Sequence, residues 1–393
     1  MKSGSLKIVF AILILCLLLS ACEDNKTDNS MDTLLIDSSN AISKEGIVVS
    51  DKGVMTYYDY DTGKQTILCT RLQCMHEIYD KDTNPDPDCP AVSHDQYQIN
   101  CAFIANGKLY FATEGSINVE KGLVTTKLYK EDLNGENRVY LGEINYDFRV
   151  TDTYVFDNYV FGLINSIKII SNTDGNVNTE STLQAAALDL DTLEVTYLSK
   201  PDEITGGLKP YVYNSRLYCT FRNTQNGMYE IRIFSLKDFS LIDTISTNGY
   251  SYIKYHKENM YYMRPTEGID EIALCKRSLK TGNENILYIY NNTMNESYDI
   301  FTVIDDYIFY NIIFYDGVNP AEDRGTYVFD MNDESITKTD FSYSGVYAVV
   351  FTTVDDEHIL LKYTEKGKIV YRYMKVNDFI NRSMDFIDIK PAK

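Results

Sequence analysis

The stretch Asn106-Gly107-Lys108-Leu109-Tyr110-Phe111, then Thr126-Lys127-Leu128-Tyr129-Lys130-Glu131-Asp132-Leu133-Asn134-Gly135-Glu136-Asn137, then Val139-Tyr140-Leu141, decides how this chain is read. Asn106-Gly107 is a turn signal ahead of an alternating aromatic and aliphatic strand. A second strand follows a polar loop, and Asn134-Gly135 is a hairpin leading into a third. The stretch therefore describes one antiparallel sheet unit.

The unit recurs down the chain. Polar turns before a hydrophobic strand fall at Asp157-Asn158-Tyr159, Asn214-Ser215-Arg216, Glu258-Asn259-Met260, Asp305-Asp306-Tyr307 and Asp356-Glu357-His358. Strands ending in polar hairpins fall at Asp59-Tyr60-Asp61-Thr62-Gly63, Asp132-Leu133-Asn134-Gly135, Asp189-Leu190-Asp191-Thr192, Ser235-Leu236-Lys237-Asp238, Ser278-Leu279-Lys280-Thr281-Gly282, Asp330-Met331-Asn332-Asp333 and Lys375-Val376-Asn377-Asp378. Apart from a longer first gap, the starts are roughly 43 to 57 residues apart, the spacing of propeller blades. One blade cannot cover both of its faces, so blades must stack around an axis. The expected fold is an all-β β-propeller over residues 33–393, with seven blades of about four antiparallel strands. Six or eight blades are the neighbouring counts. In blade 1, Gly46 to Ser50 and Val54 to Asp59 are middle strands. Its innermost strand is either Thr33 to Ile36 or a C-terminal latch from Met384 to Ile389. A pair of β-sandwiches would require a linker, and no Pro-, Gly- or Ser-rich break divides the chain.

Composition agrees. There are 33 tyrosines and no tryptophan. Tyr, Ile, Val and Thr favour strands, while Asn, Asp and Gly favour tight turns. A formal charge of −20 repels nucleic acid and anionic lipid headgroups, so a nucleic-acid partner is not expected.

The N-terminus reads as an address. Lys2 and Lys7 precede a short apolar run, Ile8 to Leu19, that suits a secretory signal and is too short to span a membrane stably. The run ends in Leu19-Ser20-Ala21-Cys22, which resembles the bacterial lipoprotein signal box. The resemblance implies that residues 1–21 are cleaved and that Cys22 carries lipid such as palmitate. An ordinary signal peptide with a chance cysteine is the plainer alternative. Residues 22–32 are polar and read as a flexible tether. The expected location is the extracytoplasmic face of the cell membrane, lipid-anchored.

The long first gap, residues 69–101, holds Cys69, Cys74, His76 and Cys89, with Cys101 at the start of the next blade. Three thiolates and one imidazole would complete a closed tetrahedral structural zinc site. Disulfides, Cys69 with Cys74 or Cys89 with Cys101, are the competing reading for an exported protein. The segments Asp59 to Lys64, Leu68-Cys69, Cys74-Met75-His76 and Cys89-Pro90-Ala91 resemble the first blade of the TolB-like propeller lipoproteins of Firmicutes. This chain differs in having Leu72 where many of those proteins have proline, and a longer loop from Glu77 to Asp88. The resemblance implies a fold and an address rather than an activity.

No P-loop, His-Glu-x-x-His or Gly-x-Ser-x-Gly pattern is present. His94, His256 and His358 fall at turns or strand starts and read as solvated or packed. Asn172 to Glu180 alternates oxygen-bearing side chains around Gly175 without matching an EF-hand, and reads as an exposed loop rather than a calcium site. Cys219 and Cys275 read as buried small hydrophobes, and Tyr250, Tyr252, Tyr255, Tyr261 and Tyr262 as packing between blades rather than a sugar platform. No catalytic residue is nominated. The expected function is a binding or scaffolding module for an envelope protein or glycan ligand. The rivals are a glycan- or peptide-acting enzyme with carboxylates gathered at the axis, and an accessory or sensor lipoprotein of a transporter.

Overall fold

The computed structural model describes residues 33–389, leaving out 38–39, 44, 52–53, 86, 93–98, 114–115, 119–121, 146, 172–176, 248–250, 269, 292–295, 317–318, 340–349, 354–356, 366–367 and 382–384. Cys22, the leader, the tether, His94, Tyr250 and most of the 172–180 segment lie outside the described residues, as does the Cys101 side chain.

The repeat read from the turns is the repeat of the fold. From inner to outer strand, blade 1 is Asn40–Ser43, Gly46–Asp51, Val54–Asp59 and Gln65–Ile67. Blade 2 is Ile99–Ala105, Lys108–Thr113, Leu123–Asp132 and Val139–Ile144, and blade 3 is Asp147–Phe156, Tyr159–Ser171, Val177–Asp189 and Val195–Tyr197. Blades 4 and 5 are Ile204–Tyr213, Arg216–Asn223, Tyr229–Ser235, Leu241–Ser246, and Ser251–His256, Asn259–Pro265, Glu271–Ser278, Glu284–Asn291. Blade 6 is Glu296–Ile304, Tyr307–Asp316, Asn319–Asp330 and Ile336–Lys338. Blade 7 is Val350–Thr353, His358–Glu365, Lys368–Lys375 and Ile387–Ile389. Pairing within each blade is antiparallel throughout.

What makes these sheets a ring is the alternation of side chains along each strand. Leu109 and Phe111 pack with Val48, Met55 and Leu68 of blade 1, while Tyr110 between them faces Val155 and Ile164 of blade 3. Tyr262 packs toward Tyr218 and Ile233 of blade 4, and its neighbour Tyr261 toward Ile300 and Tyr310 of blade 6. Phe161 and Leu163 meet Leu217 and Phe221 across the next seam, and Phe309 and Val328 meet Ile359 and Met374 across another. The last cluster sets Ile47, Val49, Tyr58 and Tyr60 of blade 1 against Leu360, Tyr371, Tyr373 and Ile389 of blade 7. Each blade is thus covered on both faces, and the molecule is a closed seven-bladed β-propeller.

Three local expectations change. The inner strand of blade 1 is Asn40–Ser43, and Thr33–Asp37 lies one strand further in. The free edge of that extra strand pairs with the inner strand of blade 3, Thr33 opposite Val155 and Leu34 opposite Tyr154. The C-terminal strand does not latch blade 1. Ile387–Ile389 pairs with Lys368–Lys375 and completes blade 7 from outside. The hairpin expected at Lys375-Val376-Asn377-Asp378 is a helical turn, Val376–Ile380, because Val376 and Phe379 are three residues apart and both are drawn into the seam between blades 6 and 7. Among the described residues, closure between blades 7 and 1 therefore rests on side-chain packing, led by a Tyr60–Tyr373 stack at 4.3 Å.

Candidate metal centre

The outer strand of blade 1 has only three residues, Gln65–Ile67. The chain then leaves the sheet and returns along the same edge. Leu68 N–H donates to the Met55 carbonyl at 3.1 Å, Met55 N–H donates to the Ala91 carbonyl at 2.8 Å, and Val92 bridges to Val54. The two limbs of the insertion thus finish an edge that a longer outer strand would otherwise cover. Its far end is a compact turn in which Asp80 Oδ1 accepts from the N–H groups of Asp82 and Thr83, and Asn84 Nδ2 donates to the carbonyls of Glu77 and Ile78. The longer Glu77 to Asp88 loop is therefore shaped by its own Asx chemistry.

Cys69, Cys74 and His76 come from the outgoing limb and Cys89 from the returning one. Their ligand atoms all lie within 4.8 Å of one another, and His76 Nδ1 is 3.3 Å from Cys89 Sγ. A tetrahedral zinc with these donors would set neighbouring ligand atoms about 3.5 to 3.8 Å apart, so the grouping is a side-chain rotation from that geometry. Electrostatics favour a cation. The His76 backbone N–H donates to Cys74 and holds its thiol below the usual range, whereas burial pushes Cys89 up to about 12. A cation bound between the sulfurs would displace the Cys89 proton and supply the opposite charge that a buried thiolate requires. The three cysteines are free thiols, and a Cys69–Cys74 disulfide would leave Cys89 and the imidazole without a partner in the same space, while the Cys89–Cys101 alternative turns on a side chain outside the described residues. The donor set fits a closed metal site with no position left for water.

The site is pinned to blade 2. Gly135, at φ +80°, sits where a Cβ would collide with the Leu68 carbonyl, so the Asn134-Gly135 hairpin is glycine-dependent for contact as well as for turn geometry. Thr70 Oγ1 donates to Glu136 at 2.8 Å. Arg138 donates from Nε to Glu131 at 2.7 Å, donates to the Pro90 carbonyl, and lies over the Phe111 ring at 4.7 Å. Glu131 is fully buried. Burial pushes its carboxyl up, and Arg138 draws it partly back. The cleft between insertion and hairpin, about 580 Å³, is lined by Thr70, Arg71, Asp88, Pro90 and residues 135–138.

Other candidates resolve into packing. Cys219 and Cys275 are wholly buried, and burial holds both thiols up. His358 stacks on Tyr373 at 4.6 Å, and Tyr255 stacks on Tyr211 at 5.1 Å. One grouping was not visible in the sequence. Asp299, on the inner strand of blade 6, has its carboxyl pushed up by burial and drawn down by Lys254 and Lys209, on the inner strands of blades 5 and 4. These three charged residues lie on the inner strands of consecutive blades, one from each, and no local motif announces them.

No protein-family model and no curated protein matches the chain. Solved structures do. The β-propeller domain of the Trilobed protease from Pyrococcus furiosus is 12% identical over 75% of this chain and 84% of its own, with a TM-score of 0.45. An oligogalacturonate lyase in complex with manganese is 11% identical over 88% and 90%, with a TM-score of 0.49. The dipeptidyl peptidase 4 of Porphyromonas gingivalis is 12% identical over 88% of this chain, which spans 58% of that protein, with a TM-score of 0.47. At this distance the likenesses say nothing of activity.

Proposed function

We propose that the chain is a lipid-anchored extracytoplasmic propeller of the TolB-like lipoprotein type, acting as a binding or scaffolding module whose Cys69, Cys74, His76 and Cys89 hold a structural zinc ion. The observation that carries the zinc assignment is the convergence of those four donors within 4.8 Å, from both limbs of an insertion that has to be held against the ring. Zinc there would supply closure of the fold. With all four positions taken by protein, it would have no site at which to polarise a substrate. A scaffolding role is supported by the buried and half-buried charges, which form structural pairs: Glu131 with Arg138, Arg232 with Glu203 and Glu230, and Arg264 with Glu284. The inner-strand trio of Lys209, Lys254 and Asp299 is the place where an envelope ligand or a catalytic function would be sought first.

The test is metal analysis of the full mature chain with hydrogen exchange before and after chelation. About one zinc per chain is expected, and its removal should release residues 68–92 while leaving blades 4 to 7 protected. Cys89→Ser should abolish binding and lower stability by about 4 kcal/mol, the linkage term of a ligand at a thousandfold its dissociation constant. A metal-free chain with one disulfide in the cluster would overturn the assignment. Turnover of an envelope substrate, lost on a single axial change that leaves the fold intact, would overturn the scaffold reading.

A further inference from the structure

We propose that the outer strand of blade 5, Glu284–Asn291, is a pairing edge for a second copy of this chain, the two strands meeting antiparallel about a two-fold axis at Leu287-Tyr288. The inference goes beyond the anchor and zinc readings and depends on neither.

The fourth strand of a blade has a neighbour on one side only, and its other edge presents unpaired N–H and C=O groups to whatever approaches. Length and charge guard most of these edges. The outer strands of blades 1, 3, 6 and 7 have three residues each. Those of blades 2 and 4 have six, with Glu143 in the first and Asp243 in the second. Blade 5 has neither guard. Its outer strand has eight residues, and from Asn285 to Asn291 it holds no charge, no proline and no glycine, in a chain of net charge −20. Among the described residues nothing pairs with its free edge, and Ile286, Tyr288 and Ile289 are 50%, 37% and 46% exposed. A long, uncharged apolar edge is the form that takes up a further strand.

The order of faces along the strand selects a second copy as that strand. Ile289 and Ile286 lie opposite Ala273 and Cys275, which pack toward blade 4. Tyr290 and Tyr288 lie opposite Ile272 and Leu274, which pack toward blade 6, and Leu287, passed over by the register at a bulge, packs toward blade 6 as well. By alternation Asn285 shares the blade 6 side, and Glu284 and Asn291 the blade 4 side. From 284 to 291 the faces therefore alternate, repeat once at Leu287-Tyr288, and alternate back, the same order from either end. Residues directly opposite in an antiparallel pair share a face. With 287 opposite 288, a second copy matches at every position, and Ile286 meets Ile289 twice. Shifting by one residue sets Ile286 against Tyr288 or Tyr290, on the wrong face. Charge agrees with the same register. Glu284 meets Asn291 rather than another carboxylate, and it is already held by Arg264 at 2.8 Å, so this strip lets two acidic bodies touch without opposing like charges.

The test is sedimentation equilibrium of the full mature chain in a density-matched neutral detergent, with micelles in large excess so that no lipid on the chain itself joins two copies. The proposal expects a reversible monomer–dimer equilibrium that tightens as salt is raised, because the partners carry net charge of the same sign. An Ile286→Lys, Ile289→Lys variant sets lysine against lysine twice in this register, and its dimer should weaken about a hundredfold. An Ile286→Glu, Ile289→Glu variant should fail alone in the same way, and an equimolar mixture of the two should dimerise again. Denaturant unfolding of the monomers checks that each variant folds. Ile387→Lys, at an exposed position on the outer strand of blade 7, should leave the equilibrium unchanged. A chain that stays monomeric at every salt concentration would overturn the proposal, as would a dimer unaffected by either pair of changes. Variants that do not recover on mixing would overturn the two-fold pairing. A monomer that binds a synthetic peptide of residues 284–291 would also overturn it and assign the edge to a strand from another protein.

Discussion

Blades 1 to 3 and blades 4 to 7 are built from the same repeat, but they are joined differently. Each of blades 4 to 7 is a separate four-stranded sheet that meets its neighbours through side chains. Blades 1 to 3 form one continuous main-chain hydrogen-bonded network. Thr33–Asp37 ties the inner strand of blade 1 to that of blade 3, and the extended hairpin of blade 3 reaches blade 2 where Lys168 pairs with Leu123. The Cys/His insertion adds a staple at the seam of blades 1 and 2. A ring whose ends share no strand depends on its terminal blades keeping their shape. Here the reinforcement is concentrated on the N-terminal side, where blade 1 combines a three-residue outer strand with a long insertion to restrain.

The largest effect expected of a single change in that comparison is at Arg138. Arg138→Ala removes the cation from a carboxylate with no exposed surface and releases Pro90 at the same time, and breaking a buried pair in this way costs about 3 to 5 kcal/mol. The pH dependence has a definite sign. Burial raises the folded-state pKa of Glu131 above its unfolded value, so the folded chain binds the extra proton, and stability falls as pH rises through that window. Losing Arg138 raises the folded pKa further. The deficit of the variant should therefore be greatest at neutral pH and shrink as pH falls through the new Glu131 pKa. Denaturant melts of both proteins at several pH values would show this, and a deficit independent of pH would mean that the pair carries little of the seam.

The closing seam between blades 7 and 1 comes next. Tyr373 is buried between Tyr60 and His358, stacked on both, and no main-chain pairing joins blades 7 and 1 among the described residues to share the load. Tyr373→Ala leaves a cavity and should cost about 3 kcal/mol, at the lower end for an aromatic truncation because the side chain keeps a little contact with water. The location of the loss is more informative than its size. Hydrogen exchange should quicken in blade 7 and at the blade 1 face, with blades 2 and 3 kept by their main-chain links. Uniform loosening around the ring would show that the N-terminal network does not act as a unit.

The contrast was only half legible in the sequence. The ring could be read because turn chemistry and strand alternation repeat locally, as at Asp157-Asn158 and Asn214-Ser215. The Cys/His cluster could be read because its ligands lie close together in the chain. Partner choice could not. Thr33-Leu34-Leu35 reads as a strand, but nothing in it names Val155 and Tyr154 as the residues it will face. Val376 and Phe379 pack as a helical turn only because blade 6 supplies Phe309 and Ile304 to cover them. The Lys209, Lys254 and Asp299 grouping takes one residue from each of three consecutive blades, so it exists only once those blades have stacked.

The smallest effect sharpens the same contrast. Lys257, in a turn of blade 5, meets Asp305 in the corresponding turn of blade 6 at 2.9 Å, an ion pair between blades with the same chemistry as the Arg138–Glu131 pair inside blade 2. Both of its side chains are more than half exposed, at 58% and 55%. Water and salt therefore screen the attraction, and two mobile side chains lose freedom to make it. Lys257→Ala should change stability by about 0.3 kcal/mol, with the difference fading further at high salt. A loss approaching that of Arg138→Ala would mean that polar contacts at the rim, and not only the apolar seams, hold blades 4 to 7 together. A negligible change would locate the cohesion between blades 5 and 6 in Tyr261, Leu274, Ile300 and Tyr310, with the buried charges of blades 4 and 5, such as Arg232 with Glu203 and Glu230, paired inside a blade.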